Sequence, residues 1–194
     1  LANAGAITGG VAATTLGVNV AGTVGTLTGS QYKTINVTSS ADTTFTGITS
    51  TAATALSVAG SGAVTLGTLT TAALTKLTAT GSVSVTADVS GIGTVTSVDT
   101  SGTSGNSTIT LDATKATFTG GAGNDKVTIA AAPTKAIAGG MGTDTLVVNA
   151  TAAVFGNPSA NTNVTGFETL ALGTAADGSY NATGFTGLSI ANAV

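Results

Sequence analysis

The sequence has no cysteine, histidine, tryptophan or arginine, and only two of its 194 residues are proline. Without imidazole or thiol side chains, zinc chemistry, thiolate chemistry and Ser-His-Asp catalysis are unavailable within this chain. The eight acidic residues are scattered along the sequence rather than clustered. These absences exclude most enzyme classes, and we expect the chain to have no catalytic activity.

Charge is scarce as well, with 7% of residues charged against about 25% in a typical protein. The five cations are all lysines and form no basic patch, so nucleic-acid binding has no electrostatic basis. No stretch approaches 18 uninterrupted apolar residues, so we expect no membrane insertion. The chain begins at Leu1 without a recognisable export signal, and we expect it to be a segment of a larger exported protein.

Threonine, alanine, glycine and valine dominate, and the mean hydropathy is +0.46. Apolar residues recur every 21 positions in two series, and a glycine series keeps the same period. The series are Leu27, Ile48 and Leu69; Ile35, Leu56, Leu77 and Val98; and Gly60, Gly81 and Gly102. A fixed period near 20 with short alternating strands is typical of a solenoid whose coils stack into parallel sheets. The period therefore predicts an all-β parallel β-helix with coils of about 21 residues.

Two nine-residue units share one glycine-rich template, G-G-x-G-x-D-x-U-x, in which U is apolar. They are residues 120–128 and residues 139–147. Glycine tolerates positive φ, so the turns can direct several carbonyl oxygens to one point, and Asp125 and Asp144 each add a carboxylate. Calcium takes six to eight such oxygen ligands. The start positions, 120 and 139, put both turns on the same edge of adjacent coils, which predicts one shared calcium site.

This template resembles the calcium-binding β-roll repeat of repeats-in-toxin (RTX) proteins. Residues 118–190, with Gly-Phe-Glu-Thr-Leu at 166–170 and Asn-Ala-Thr-Gly-Phe at 181–185, are similar to the calcium-binding part of Caulobacter-type surface-layer (S-layer) proteins. The resemblance implies that the β-helix continues into an RTX β-roll. It also implies a ligand set in which Gly121, Gly123 and Asp125 face Gly139, Met141 and Asp144 of the next coil.

The S-layer family forms calcium-dependent crystalline coats and leaves the cell by type I secretion. The resemblance therefore implies a structural protein on the bacterial cell surface, with Ca²⁺ as its cofactor and self-assembly as its activity. The implied partners are neighbouring copies of the protein, with cell-surface polysaccharide as a candidate partner of regions outside this segment.

Several alternatives remain open at this point. The chain could instead be the calcium-binding module of a secreted RTX adhesin or RTX enzyme. Thr28, Thr49 and Thr70 repeat at 21, which fits either an ice-binding ladder or simple β propensity. The turn at 102–107 resembles a decayed metal turn with Ser107 in place of aspartate. It is either an empty polar turn or a weaker calcium site completed by Gly120, Ala122 and Asp125.

Changes of register and composition divide the chain into three segments. Residues 1–115 are predicted to form the Thr/Ala/Gly-rich solenoid, residues 116–150 the calcium-binding β-roll coils, and residues 151–194 a closing solenoid segment. Three of the five phenylalanines, Phe155, Phe167 and Phe185, lie in the last segment. We expect them to fill the core at the end of the stack.

Overall fold

The computed structural model describes residues 13–151 and 162–190, and within these ranges the secondary structure consists of strands without helices. The strands are β1 Thr15–Thr28, β2 Thr34–Thr49, β3 Ala55–Gly60, β4 Ala63–Thr65, β5 Thr68–Thr70, β6 Lys76–Gly81, β7 Ser84–Asp88, β8 Ser97–Thr103, β9 Thr108–Thr110, β10 Thr117–Thr119, β11 Lys126–Ile129, β12 Ile137–Ala138, β13 Thr145–Val148, β14 Val164–Thr165, β15 Thr169–Leu172 and β16 Gly187–Ile190. Most of them have buried and exposed side chains in alternation, as expected for strands with one face on a core.

The strands form a parallel β-solenoid of about seven turns with coils of about 21 residues. One face stacks β1, β2, β3, β6, β8, β10, β12 and β14, and we call it the first face. The second face stacks the later part of β2 with β4, β7, β9, β11, β13, β15 and β16. All the strand pairings of the described residues are parallel, because each coil runs in the same direction as the one before it. The predicted all-β parallel fold is confirmed.

Inward-facing residues of successive coils lie directly above one another. Ile35, Leu56, Leu77 and Val98 are paired in this order and are at most 1% exposed. Burying each such side chain contributes about 1.5–3 kcal/mol relative to leaving it in water. The 21-residue repeat therefore marks a column of the core, as the sequence predicted.

The glycine series departs from this register at its last member. Gly60 pairs with Gly81, but Gly102 pairs with Thr80, because β8 carries one extra residue in a β-bulge. Asp99 stabilises the bulge, since its Oδ1 accepts hydrogen bonds from the amide and hydroxyl of Ser101 at 3.1 and 2.6 Å. The 21-residue spacing of Gly102 therefore does not place it above Gly81.

Beyond the bulge the coils shorten. Ile109 pairs with Val127, and Val127 pairs in turn with Leu146. Each of these steps is shorter than the coil of about 21 residues that is typical of the solenoid. Strand pairing continues across the predicted boundaries near 115 and 150, through β9 with β11 and β13 with β15. The division into three segments stays a prediction.

The end of the described stack contains two of the three late phenylalanines. Phe167 is buried, and Phe185 is partly buried against the core, whereas Phe155 lies outside the described residues. Phe167 therefore lies in the core as the sequence suggested, whereas Phe185 packs against it.

Candidate metal site

The two glycine-rich turns lie one above the other at the corner between the first and second faces. The first turn joins β10 to β11, and the second joins β12 to β13. The flanking strands pair in one register on both sides, Phe118 with Ile137 and Val127 with Leu146, so the turns are aligned. The link at 104–107, between β8 and β9, lies at the same corner one coil before the two turns. The link between β14 and β15 lies there one coil after them. We call the passage from one coil to the next at this corner a step. The predicted placement of both turns on one edge is confirmed.

Four residues form a column at this corner, which we call the acid corner: Ser107, Asp125, Asp144 and Glu168. Each acid accepts a hydrogen bond from the backbone amide of the preceding member. Asp125 Oδ1 accepts from Ser107 at 2.6 Å, Asp144 Oδ1 from Asp125 at 2.6 Å, and Glu168 Oε2 from Asp144 at 2.7 Å. The column therefore connects four successive coils through side chains rather than through the sheet.

Asp125 is 1% exposed, although it carries a charge when ionised. Its second oxygen, Oδ2, accepts a hydrogen bond from the amide of Gly121 at 3.0 Å. Burial raises the pKa of Asp125, because desolvation disfavours the charged form, and the amides of Ser107 and Gly121 oppose that rise. The carboxylate has amide partners but forms no ion pair with any described residue.

Asp144 is fully buried, and its Oδ2 has no hydrogen-bond partner among the described residues. Burial is the largest cause that raises the pKa of Asp144, and the neighbouring carboxylates of Asp125 and Glu168 raise it further. A buried acceptor without a donor costs about 1–3 kcal/mol, and more when it is charged. This oxygen is therefore the carboxylate oxygen of the corner that most needs a further partner.

The glycines of the turns are required chiefly by the close approach of neighbouring coils. Only Gly140 and Gly142 of these turns have positive φ, at 109° and 119°. At Gly123 a Cβ would lie 2.5 Å from the carbonyl oxygen of Gly105 on the previous coil. The freedom to adopt positive φ is therefore not used by the three template glycines of the first turn or by Gly139, where the absence of a side chain matters more than the dihedral angle.

Two positions at the corner bring a carbonyl and a carboxylate oxygen together. A Cβ on Gly120 would overlap the carbonyl oxygen of Gly139 and lie 2.7 Å from Asp125 Oδ2. A Cβ on Gly139 would overlap the carbonyl oxygen of Gly166 and lie 2.6 Å from Asp144 Oδ2. Glycine leaves room for this convergence, and such oxygen pairs are the ligands that hard cations take.

The other predicted ligands, Gly121, Gly123 and Met141, also lie in the two glycine-rich turns. The carbonyl of Gly121 accepts a hydrogen bond from the amide of Met141 at 2.9 Å, while the Met141 side chain is 76% exposed. The carbonyl oxygen of Gly123 lies against Gly142, at 2.5 Å from where a Cβ would stand. These carbonyls thus point to the next coil, and their role as calcium ligands stays a prediction.

The proposed weaker site at 102–107 lies on the preceding coil. Ala122 donates a backbone hydrogen bond to Thr103 at 3.1 Å, and Asp125 binds the amide of Ser107. Gly120 donates instead to Ala138, on the following coil, at 2.8 Å. The turn is stacked against the first glycine-rich turn, and the two alternatives, an empty polar turn and a weaker calcium site, both stay open.

Sequence reasoning missed two contributors to this corner. Glu168 follows Asp144 by 24 residues and lies outside any nonapeptide, so no template marked it. Asn124 occupies a variable position of the template, yet it links three coils. Its backbone amide donates to Asn106 Oδ1 at 2.7 Å, and its side-chain Oδ1 accepts a hydrogen bond from the backbone amide of Thr143 at 2.8 Å. The recurrence of asparagine at 106 and 124 was the available signal for the second contribution.

Two further features are absent from the described residues. Residues 13–151 and 162–190 contain no group of three or more acidic, histidine or cysteine side chains arranged to hold a metal ion. Any cation at the acid corner would therefore depend on main-chain oxygens in addition to carboxylates. The same ranges contain no helix of sufficient length and apolarity to cross a membrane.

Comparison with known proteins identifies no family. No protein-family model matches the chain, and no curated protein sequence matches it significantly. The motifs and the geometry of the acid corner therefore provide the basis for assigning a function.

Proposed function

We propose that this chain is a calcium-stabilised structural segment of a bacterial surface layer, without a catalytic role. The observation that carries the proposal is the pair of buried carboxylates on adjacent coils, Asp125 and Asp144. Neither forms an ion pair with a described residue, and Asp144 Oδ2 lacks any partner there. A buried negative pair of this kind is unfavourable without a cation, so its presence argues for one.

The residues at the corner fit calcium. Asp125 Oδ2 and the carbonyl oxygen of Gly139 both lie within 2.7 Å of the position that a Cβ on Gly120 would take, and Asp144 lies on the same corner. Carboxylate and carbonyl oxygens are the usual calcium ligands, with water completing the shell. When bound, the ion would supply positive charge that favours ionised Asp125 and Asp144 and joins their two coils.

The stabilisation would suit an extracellular setting. Extracellular calcium modules bind with Kd values of about 10⁻⁴ to 10⁻³ M. At a free concentration ten times Kd, one site stabilises the folded state by about 1.4 kcal/mol. Such a site would be occupied outside the cell and largely empty in the cytoplasm, which favours folding after export to the cell surface.

The second face offers a surface suited to contact between copies. Thr23, Thr44, Thr65, Thr86 and Thr108 are paired in succession and form an outward column over five coils. Four of them are exposed and Thr65 is half-buried. Threonine has few rotamers to lose, so packing such a column against a neighbour costs little side-chain entropy. This column supports self-assembly as the function and other copies of the protein as the partners.

Electron microscopy of the purified protein in millimolar calcium and in chelator tests the proposal. We expect ordered arrays in calcium and their loss in chelator, and we expect Asp125→Asn with Asp144→Asn to prevent assembly in calcium. Arrays that persist in chelator would contradict calcium control. Calcium-dependent folding without any assembly would instead favour the module of a secreted RTX adhesin or enzyme.

A further inference from the structure

The acid corner repeats one arrangement at two neighbouring steps. At the first step Asp125 Oδ2 and the Gly139 carbonyl oxygen both lie within 2.7 Å of where a Cβ on Gly120 would stand. At the next step Asp144 Oδ2 and the Gly166 carbonyl oxygen both lie within 2.6 Å of where a Cβ on Gly139 would stand. In each case a carboxylate of one coil and a carbonyl of the following coil converge where glycine leaves space. The second step was not anticipated by any repeat in the sequence.

Glu168 takes the place that a third aspartate would have. Its Oε2 accepts the amide of Asp144 at 2.7 Å, as Asp144 Oδ1 accepts the amide of Asp125 at 2.6 Å. Glu168 follows Gly166 by two residues, whereas Asp144 follows Gly139 by five. The longer side chain of glutamate allows an acid at the end of this shorter turn to reach the preceding coil.

The second step also contains a carboxylate oxygen that has no hydrogen-bond partner in the described part of the chain. Asp144 is 0% exposed, and its Oδ2 has no hydrogen bond within the described residues. At the first step, by contrast, the amide of Gly121 satisfies Asp125 Oδ2. The second step thus brings together the carboxylates of Asp144 and Glu168 and the carbonyl of Gly166. Among the described residues, Asp144 Oδ2 has no partner, and no positive charge balances the two carboxylates.

We propose that a second calcium ion binds between the coil of Asp144 and the coil of Glu168. Its protein ligands are Asp144 Oδ2, the main-chain carbonyl of Gly166 and the carboxylate of Glu168, with water in the remaining positions. The site shares Asp144 with the calcium site between Asp125 and Asp144, so in this respect it rests on the proposed function. Its consequence is that calcium joins three successive coils and secures the last described part of the stack to the glycine-rich turns.

Counting ions by native mass spectrometry, with affinities from calorimetric calcium titration, tests this site in the whole 194-residue chain. Glu168→Gln keeps an oxygen that can accept the Asp144 amide but removes the charge. Asp177→Asn is the matched control, because it removes one charge from an exposed residue outside the acid corner. We expect two calcium ions in the natural protein and in Asp177→Asn, and one in Glu168→Gln.

The outcomes separate this proposal from the calcium function as a whole. One ion in the natural protein, with the same affinity in Glu168→Gln, would overturn the second site and leave the first intact. That result would also be expected if Asp144 and Glu168 share a proton instead of a metal. No bound ion in the natural protein would remove both sites.

A second variant keeps the test decisive if Glu168→Gln does not fold. Glu168→Asp retains the negative charge on a side chain that is one methylene group shorter. We expect it to weaken one of the two binding events by at least tenfold and to leave the other unchanged. Two binding events with natural affinities in this variant would contradict the assignment of Glu168 as a ligand.

Discussion

The acid corner predicts an unusual pH dependence of stability in the absence of calcium. Burial raises the pKa of both Asp125 and Asp144 from 3.8 in an unperturbed carboxyl. Between 3.8 and the raised values, the folded state binds more protons than the unfolded state. The free energy of unfolding therefore falls as pH rises through this window, and it recovers when the pH is lowered.

The magnitude follows from proton linkage. Each group contributes a slope of at most about 1.4 kcal/mol per pH unit while it is protonated only in the folded state. Asp112 acts in the opposite direction, because its hydrogen bond with the Thr114 hydroxyl is the main cause that lowers its pKa. Its contribution is lost only as pH falls below 3.8, so it does not mask the effect at higher pH.

Urea denaturation in chelator, followed by circular dichroism from pH 7 to pH 4, measures this dependence. We expect the natural protein to gain stability on acidification and Asp125→Asn with Asp144→Asn to lose that gain. In calcium the trend should weaken or reverse, because protons compete with the ion for the same oxygens. An identical pH slope for the natural protein and the double variant in chelator would refute the account of the buried carboxylates.

Two further predictions concern the solenoid itself. Leu77→Ala, at a fully buried position of the core column, should lower the free energy of unfolding by about 2–5 kcal/mol, measured by urea denaturation; a cost under about 1 kcal/mol would mean that the column is loosely packed. Gly123→Ala should lower the melting temperature, because its Cβ would lie 2.5 Å from the carbonyl oxygen of Gly105. The matched variant Gly91→Ala, where a Cβ meets nothing within 4 Å, should leave the melting temperature unchanged or raise it. Equal effects of the two alanines would contradict the close approach of the coils.

The periodicity of the sequence predicted the solenoid because stacked coils place chemically similar residues in one column. Leu56 and Leu77 pair directly, and so do Val127 and Leu146, as their spacing required. The bulge in β8 could not be predicted, since it depends on Asp99 binding the amide and hydroxyl of Ser101 in three dimensions. A period alone does not reveal one extra residue within a strand.

The candidate site was partly predictable for the same reason. The template marked Asp125 and Asp144 and placed their turns in register. It did not mark Glu168, because the chain between the two acids departs from the nonapeptide spacing and only folding brings them together. It also did not indicate that the carboxylates reach back to the amides of the preceding coil, since that direction depends on side-chain packing.

The most direct test of the central claim is the effect of calcium on the melting temperature of the natural protein and of Asp125→Asn with Asp144→Asn. At ten times Kd, a stabilisation of about 1.4 kcal/mol from one site corresponds to a rise of about 3–6 °C for a chain of this size. Asp88→Asn with Asp177→Asn provides a control with the same change in charge at exposed residues. We predict that the natural protein and the control show the rise and that the acid-corner variant shows none; an equal rise in all three would contradict calcium binding at Asp125 and Asp144.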